Sequence, residues 1–191
     1  MKNITVIWIT GVLLGTAVQV SHAKNPNWTI TTQGFGPVTT GMTLQRASKV
    51  LGVKLSVGTV DRQADSSRQC AYTLPIKAYP NLSFMLIDGK IARADLSMRS
   101  LKPKKYSVLM TDKGIRIGDS ENKVKMTYAK KSLKVEPHKY GDGNDFYLTY
   151  WTTPQQKSGI RYETINGVVT HIQGGNATIE WVEAAHDSRS I

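Results

Sequence analysis

Gly36-Pro37-Val38-Thr39-Thr40-Gly41-Met42-Thr43-Leu44-Gln45-Arg46-Ala47 and Gly114-Ile115-Arg116-Ile117-Gly118-Asp119-Ser120-Glu121-Asn122-Lys123-Val124 are two versions of one pattern, about 77 residues apart. Aligning Gly41 with Gly118 places Val38 on Ile115, Thr43 on Ser120, Ala47 on Val124 and Leu51 on Tyr128. A second station follows at nearly the same offset. Leu82-Ser83-Phe84-Met85-Leu86-Ile87-Asp88-Gly89 is echoed by Ile160-Arg161-Tyr162-Glu163-Thr164-Ile165-Asn166-Gly167. Two stations sharing one offset predict a duplicated unit.

Within each unit the order of signals is the same. Thr43 and Ser120 precede short helical patterns, where a hydroxyl can accept from the first unbonded backbone N–H groups. Leu44, Ala47 and Leu51 share one face of the first helix, which Gly52 ends; Val124 and Tyr128 mark the buried face of the second. Asp88-Gly89 and Asn166-Gly167 tolerate the positive φ angles of a two-residue type I′ turn, so each unit is expected to contain a β-hairpin. Further strands are expected at 70–76, 107–110, 145–152 and 177–183, a short edge strand at 28–30, and a polar loop at 58–69. The expected fold is α+β: two tandem helix-plus-antiparallel-hairpin repeats whose strands join into one sheet. The expected organisation is a leader at 1–23, a first repeat at 24–105, a second at 106–185 and a disordered tail at 186–191. One helix per repeat cannot cover both faces of such a sheet, so one face is expected to stay open.

Residues 1–23 have the parts of a secretory signal: Lys2, an apolar run from Ile4 to Val20, and the small-residue ending Ser21-His22-Ala23. The run is interrupted by polar residues and glycines and no basic stop-transfer cluster follows. Cleavage after Ala23 is therefore expected, giving a periplasmic or secreted protein that does not span the membrane. Lys24 follows the cut, so lipid attachment there is not indicated. Lys2 is the only charged residue of the leader, and its loss lowers the net charge from +11 to +10. Such a surplus attracts anionic partners and also simply keeps a protein soluble. Cys70 is the only cysteine, which rules out an internal disulfide; an inert core cysteine is favoured over a catalytic thiol because no histidine spacing brings a base to it.

Catalytic patterns are thin. There is no nucleophile elbow, no HExxH and no cysteine pair for zinc, and no cofactor is implied. Gly141-Asp142-Gly143-Asn144-Asp145 has oxygen ligands but not the spacing of an EF-hand, and reads as a turn. Charge says more: residues 101–139 hold eleven basic and four acidic side chains. Lys123, Lys125, Lys130 and Lys131 are candidates for docking an anionic partner, an acidic protein or an anionic envelope component, against the alternative of a solvated helix face. The compartment disfavours nucleic acid. Counting back from the two turns pairs Phe84 with Arg93 and Tyr162 with His171, and these residues with Trp151 are candidates for a contact surface on the open sheet face. A one-residue shift in register would instead send Phe84 and Tyr162 into the core.

Gly41-Met42-Thr43, the short helix after it and Leu51-Gly52, followed by antiparallel strands, resemble the repeat of β-lactamase-inhibitory protein and of the small lipoprotein of the outer-membrane barrel-assembly machinery. The tandem period is similar to the former, which implies one curved sheet with the helices on its convex side. The stretch from Gly34 to Gly175, including Asp88-Gly89-Lys90 and Pro137-His138-Lys139-Tyr140, resembles a group of bacterial exported proteins. In that group a cysteine often follows the final Val-Glu and can pair with the one at Cys70; here Val182-Glu183 precedes Ala184-Ala185, so that pairing is lost. The resemblance implies a non-enzymatic exported binding protein, of inhibitor or immunity type, acting on an envelope enzyme. The alternatives are an envelope assembly or structural factor docking on membrane protein or anionic lipid, and, with least support, a hydrolase. N-terminal sequencing of the processed protein is expected to begin at Lys24; retention of Met1 in a membrane fraction would refute the cleaved leader.

Overall fold

The computed structural model describes residues 28–61, 70–74, 76–98, 109–129, 132–153, 155 and 157–180. The expected leader, the 186–191 tail, and Lys130 and Lys131 lie outside these residues.

The two capping hydroxyls act as the sequence predicts. Thr43 Oγ1 accepts from the Arg46 N–H at 3.3 Å and starts helix α1 (Leu44–Leu51); Ser120 Oγ accepts from the Lys123 N–H at 3.2 Å and starts α2 (Glu121–Thr127). Gly52, at φ 71°, ends α1 in the left-handed conformation that glycine adopts most cheaply. The residues just before each cap are tied to a strand in the same way. Gly41 N–H donates to the Ile91 carbonyl and Ile91 N–H to that of Met42, as Gly118 N–H donates to the Val169 carbonyl and Val169 N–H to that of Asp119.

The molecule is mostly sheet with two helices. Three two-residue strands, β1 (Ile30–Thr31), β2 (Gly34–Phe35) and β3 (Val38–Thr39), form a small antiparallel sheet. Eight strands form the large one: β4 (Val57–Asp61), β5 (Cys70–Thr73), β6 (Leu82–Ile87), β7 (Lys90–Ser97), β8 (Leu133–Pro137), β9 (Phe146–Trp151), β10 (Gly159–Ile165) and β11 (Val168–Gly175). Their spatial order is β4-β5-β6-β7-β11-β10-β9-β8, antiparallel throughout. The final strands of the two runs, β7 and β11, therefore meet in the middle, and β4 and β8 are the edges. The hairpin turns carry positive φ at both central residues, Asp88 49° and Gly89 74°, Asn166 50° and Gly167 74°.

Alternation along the strands sends one set of side chains into a single core with both helices. Phe84, Leu86, Ala94, Leu96, Leu148, Ile160, Tyr162 and Ile172 join Ala47 and Leu51 of α1, Val124 of α2, and Ile30, Phe35 and Val38 of the small sheet. Tyr79 lies against Phe35 and Trp28, and the Tyr162 and Tyr128 hydroxyls share a hydrogen bond of 2.8 Å within the core. Burial penalises the phenolate, so the Tyr128 hydroxyl is pushed up to about 12 and that of Tyr162 is raised further.

Several expectations need correction. The 58–69 segment is not all loop, because β4 occupies its first residues, an apolar-and-threonine run that pairs with β5. Residues 177–180 form a 3₁₀ turn instead of a strand, with Asn176 Oδ1 accepting from the Thr178 N–H to bend the chain. Leu109 and Met110 lie outside any strand, although the Met110 carbonyl accepts from Ile30 N–H. The short strand expected at 28–30 appears as β1, shifted to Ile30–Thr31 and paired with β2, whereas β2, β3 and the edge strand β8 had no alternating signal long enough to reveal them.

Glycines at two kinds of position are expected to respond differently to alanine. At Gly167 an added Cβ meets nothing within 4 Å, so Gly167→Ala is expected to cost only the left-handed backbone strain, about 1 kcal/mol. At Gly174 the same atom would collide with the Thr31 carbonyl and Ile30 side chain, and Gly174→Ala is expected to cost about 3 kcal/mol or more. Urea unfolding of the two variants checks the order; equal losses would contradict the packing of β1 against β11.

Candidate functional site

The side chains that alternate with the core residues point to the other face of the large sheet, and there they are largely charged or aromatic. From β7 these are Arg93 and Asp95, from β11 His171 and Gln173, from β10 Arg161 and Glu163, and from β9 Tyr147, Thr149 and Trp151; the β8 residues Lys134 and Glu136 stand opposite Thr149 and Tyr147. This face is not bare. The 3₁₀ turn Ala177–Glu180 contacts β7, β10 and β11, and the Arg93 guanidinium donates through Nη1 to the Thr178 carbonyl.

Glu163 is the focus of the second half of this face. Its Oε2 lies 3.6 Å from His138 Nε2 and 3.9 Å from His171 Nδ1. Burial pushes the Glu163 carboxyl up, but the two imidazoles and Arg93 outweigh it and hold the carboxyl below its ordinary value. His138 is oriented from behind: the Tyr140 N–H donates to its Nδ1 at 3.2 Å, which leaves the Nε2 proton facing Glu163. The same ring stacks on Tyr147 at 4.4 Å, and the Arg161 guanidinium lies over the Tyr147 ring, also at 4.4 Å. Arg161 donates from Nε to Thr149 Oγ1 at 3.1 Å and sits 3.6 Å from Glu136. Burial lowers its pKa, opposed by the nearby Glu180, Glu136 and Glu163 carboxylates. Lys134 bridges Glu136 and Glu180, and its hydrogen bond to Glu136 raises its pKa. The arrangement is a chain of mutually fixed charges. It has no nucleophile in contact with a base, and among the described residues no group of three histidine, cysteine or acidic side chains is placed to hold a metal.

The predicted residues are scattered by this geometry. Phe84 and Tyr162 are fully buried in the core, not on the contact face. Each hairpin has a bulge that shifts the register, so Phe84 pairs with Ala94 and Tyr162 with Ile172, while Arg93 faces Met85 and His171 faces Glu163. Arg93 does reach the second face but is buried, held by Asp95 Oδ1 at 2.8 Å and Tyr72 Oη at 3.0 Å as well as Thr178. Trp151 is half-buried there, and a Cβ on Gly159 would touch both it and Ile179 of the 3₁₀ turn. Lys123 is bonded to Asp119 and the Gly114 carbonyl, and Lys125 to Glu121 one turn earlier, so this helix face carries paired, not unopposed, charge. Asp145 accepts from the Asn166 N–H at 2.8 Å, which ties the 141–145 turn to the β10–β11 hairpin.

Glu163, His138 and Arg161 were missed, while Tyr147 belongs to the aromatic strand 146–151 that also carries Trp151. Tyr147 and Arg161 each alternate with a core neighbour, a signal that required the register to be known. Comparison of the chain with protein-family models, with curated proteins and with solved structures finds no match in any of the three.

A carboxyl held low in the folded state contributes stability above the ordinary carboxylate range and loses it as pH falls through the folded value. Glu163→Gln is therefore expected to destabilise the protein at pH 7, and the gap to wild type is expected to shrink below about pH 4. Thermal unfolding across pH tests the sign; a gap that widens in acid would contradict the His138–Glu163–His171 arrangement.

Proposed function

We propose that the chain is an exported, non-enzymatic binding protein, duplicated internally, that meets a protein partner on the sheet face turned away from its helices. The observation that carries this reading is the Glu163 cluster: charged and aromatic side chains, already fixed by one another, on the sheet face that the helices do not cover. Fixed polar groups lose little freedom on association, which suits recognition. Next to them Tyr140 is half exposed, with its ring in edge contact with His138 and Lys139 Nζ 5.3 Å from its centre, and the His171 side chain is partly exposed. Tyrosine and charged groups of this kind dominate binding energy at interfaces.

The duplication is part of the proposal. Its support is that each run is a capped helix followed by four antiparallel strands, with equivalent hydrogen bonds at Gly41 and Gly118 and the same turn conformation at Asp88-Gly89 and Asn166-Gly167. The resemblance to inhibitory-protein repeats favours an inhibitor or immunity role against an envelope enzyme.

Affinity capture from an envelope extract, with mass spectrometry, is expected to return one partner at one-to-one stoichiometry. Tyr140→Ala and His171→Ala are expected to weaken it by about 1–2 kcal/mol each while changing stability by less than about 0.5 kcal/mol. Lys123→Gln with Lys125→Gln is expected to leave capture intact, since both charges are already paired. A protein that instead sediments with membranes and leaves them in high salt, with no loss on Tyr140→Ala, would favour the envelope-assembly reading.

A further inference from the structure

Exposed cations with no carboxylate partner gather around the outer side of α1. Arg46 and Lys49, one turn apart on that helix, border an open cleft of about 710 Å³. At Val53 and Lys54 it runs into a second cleft of about 570 Å³ against the β5–β6 connection, where Lys77 stands. Arg46, Lys49, Lys54 and Lys77 are all exposed, none makes an ion pair, and no carboxylate lines either cleft among the described residues. The second cleft adds apolar surface: Val53, Ile76 and Ala78 line it with Leu74, which is 51% exposed.

We infer that this joined cleft takes an acidic, aliphatic segment of a partner protein. The four unopposed cations demand negative charge, and the apolar lining of the second cleft, with exposed Leu74, rewards aliphatic side chains placed between the acidic ones. A small ligand would be left mostly in water by a cleft this open, whereas binding sites for such ligands cover most of their surface. A bilayer is too flat to enter a concave cleft whose apolar atoms lie in its walls. Single-stranded nucleic acid needs aromatic platforms, and the lining has none among the described residues. The edge strand β4, adjacent through Val57 and Gly58, also offers backbone groups to an extended chain. The site shares no residue with the Glu163 face, so either can fail without the other.

The test is titration of the protein with a short fluorescent peptide rich in glutamate and leucine, and with its lysine–leucine counterpart. The acidic peptide is expected to bind saturably, to weaken as salt rises, and to shift the amide resonances of residues 46–56, 74 and 76–78. Lys49→Glu, Lys54→Glu and Lys77→Glu together are expected to weaken it about tenfold or more, and Leu74→Ser severalfold. Lys123→Gln with Lys125→Gln is expected to have no effect. Equal binding of the lysine–leucine peptide, resonance shifts elsewhere, or an unaffected triple variant would overturn the inference. So would capture of the protein by phosphatidylglycerol vesicles with no binding of the acidic peptide, which would reassign the cations to a lipid surface.

Discussion

The pairing of β7 with β11 is the constraint on which the rest depends. It runs from His171 opposite Ser97 to Gly175 opposite Arg93, and it joins two four-stranded runs into one sheet. Because both runs put the same face of the sheet toward their helices, the join creates one core where two half-cores would each have been too small. It also brings residues about 80 apart in sequence into contact, so its loop-closure cost falls on the folding rate more than on stability. The small sheet depends on the same place: only glycine at 174 lets the Thr31 carbonyl approach β11.

The two bulges decide what each face of the sheet is for. Between Met85 and Leu86, and again between Glu163 and Thr164, one extra residue on the partner strand shifts the register. Without that shift Arg93 would lie opposite Phe84 and His171 opposite Tyr162, mixing charge into the core. With it, the aromatic rings stay inside and the charged groups collect on the second face, where Glu163 finds its two histidines. Arg93 is buried even so. It sits beneath the 3₁₀ turn, and its cost is offset by Asp95, Tyr72 and the Thr178 carbonyl.

Net charge by itself did not locate a binding surface. The basic stretch around α2 is rich in lysine, yet Lys123 and Lys125 each sit one turn after an acidic residue and are paired with it. Around α1 the basic residues are fewer but have no such partners. The field a partner meets depends on which charges are left unopposed.

The sequence by itself determined the local chemistry. The caps at Thr43 and Ser120, the helix end at Gly52, the two glycine turns and the burial of Val124 and Tyr128 all follow from rules that act over three or four residues. It determined as well that α+β architecture would result, because the helix signals are short and the strand signals many. Only the tertiary structure decided register and neighbours. A bulge leaves no local mark in Ile91-Ala92-Arg93 or in Val169-Thr170-His171, so which face Arg93 and His171 share was settled by packing across strands. The convergence of His138, Tyr147, Arg161 and Glu163 was likewise beyond local reading, since they come from β9, β10 and the turn between β8 and β9. Their meeting depends on strand order, which is a property of the whole core.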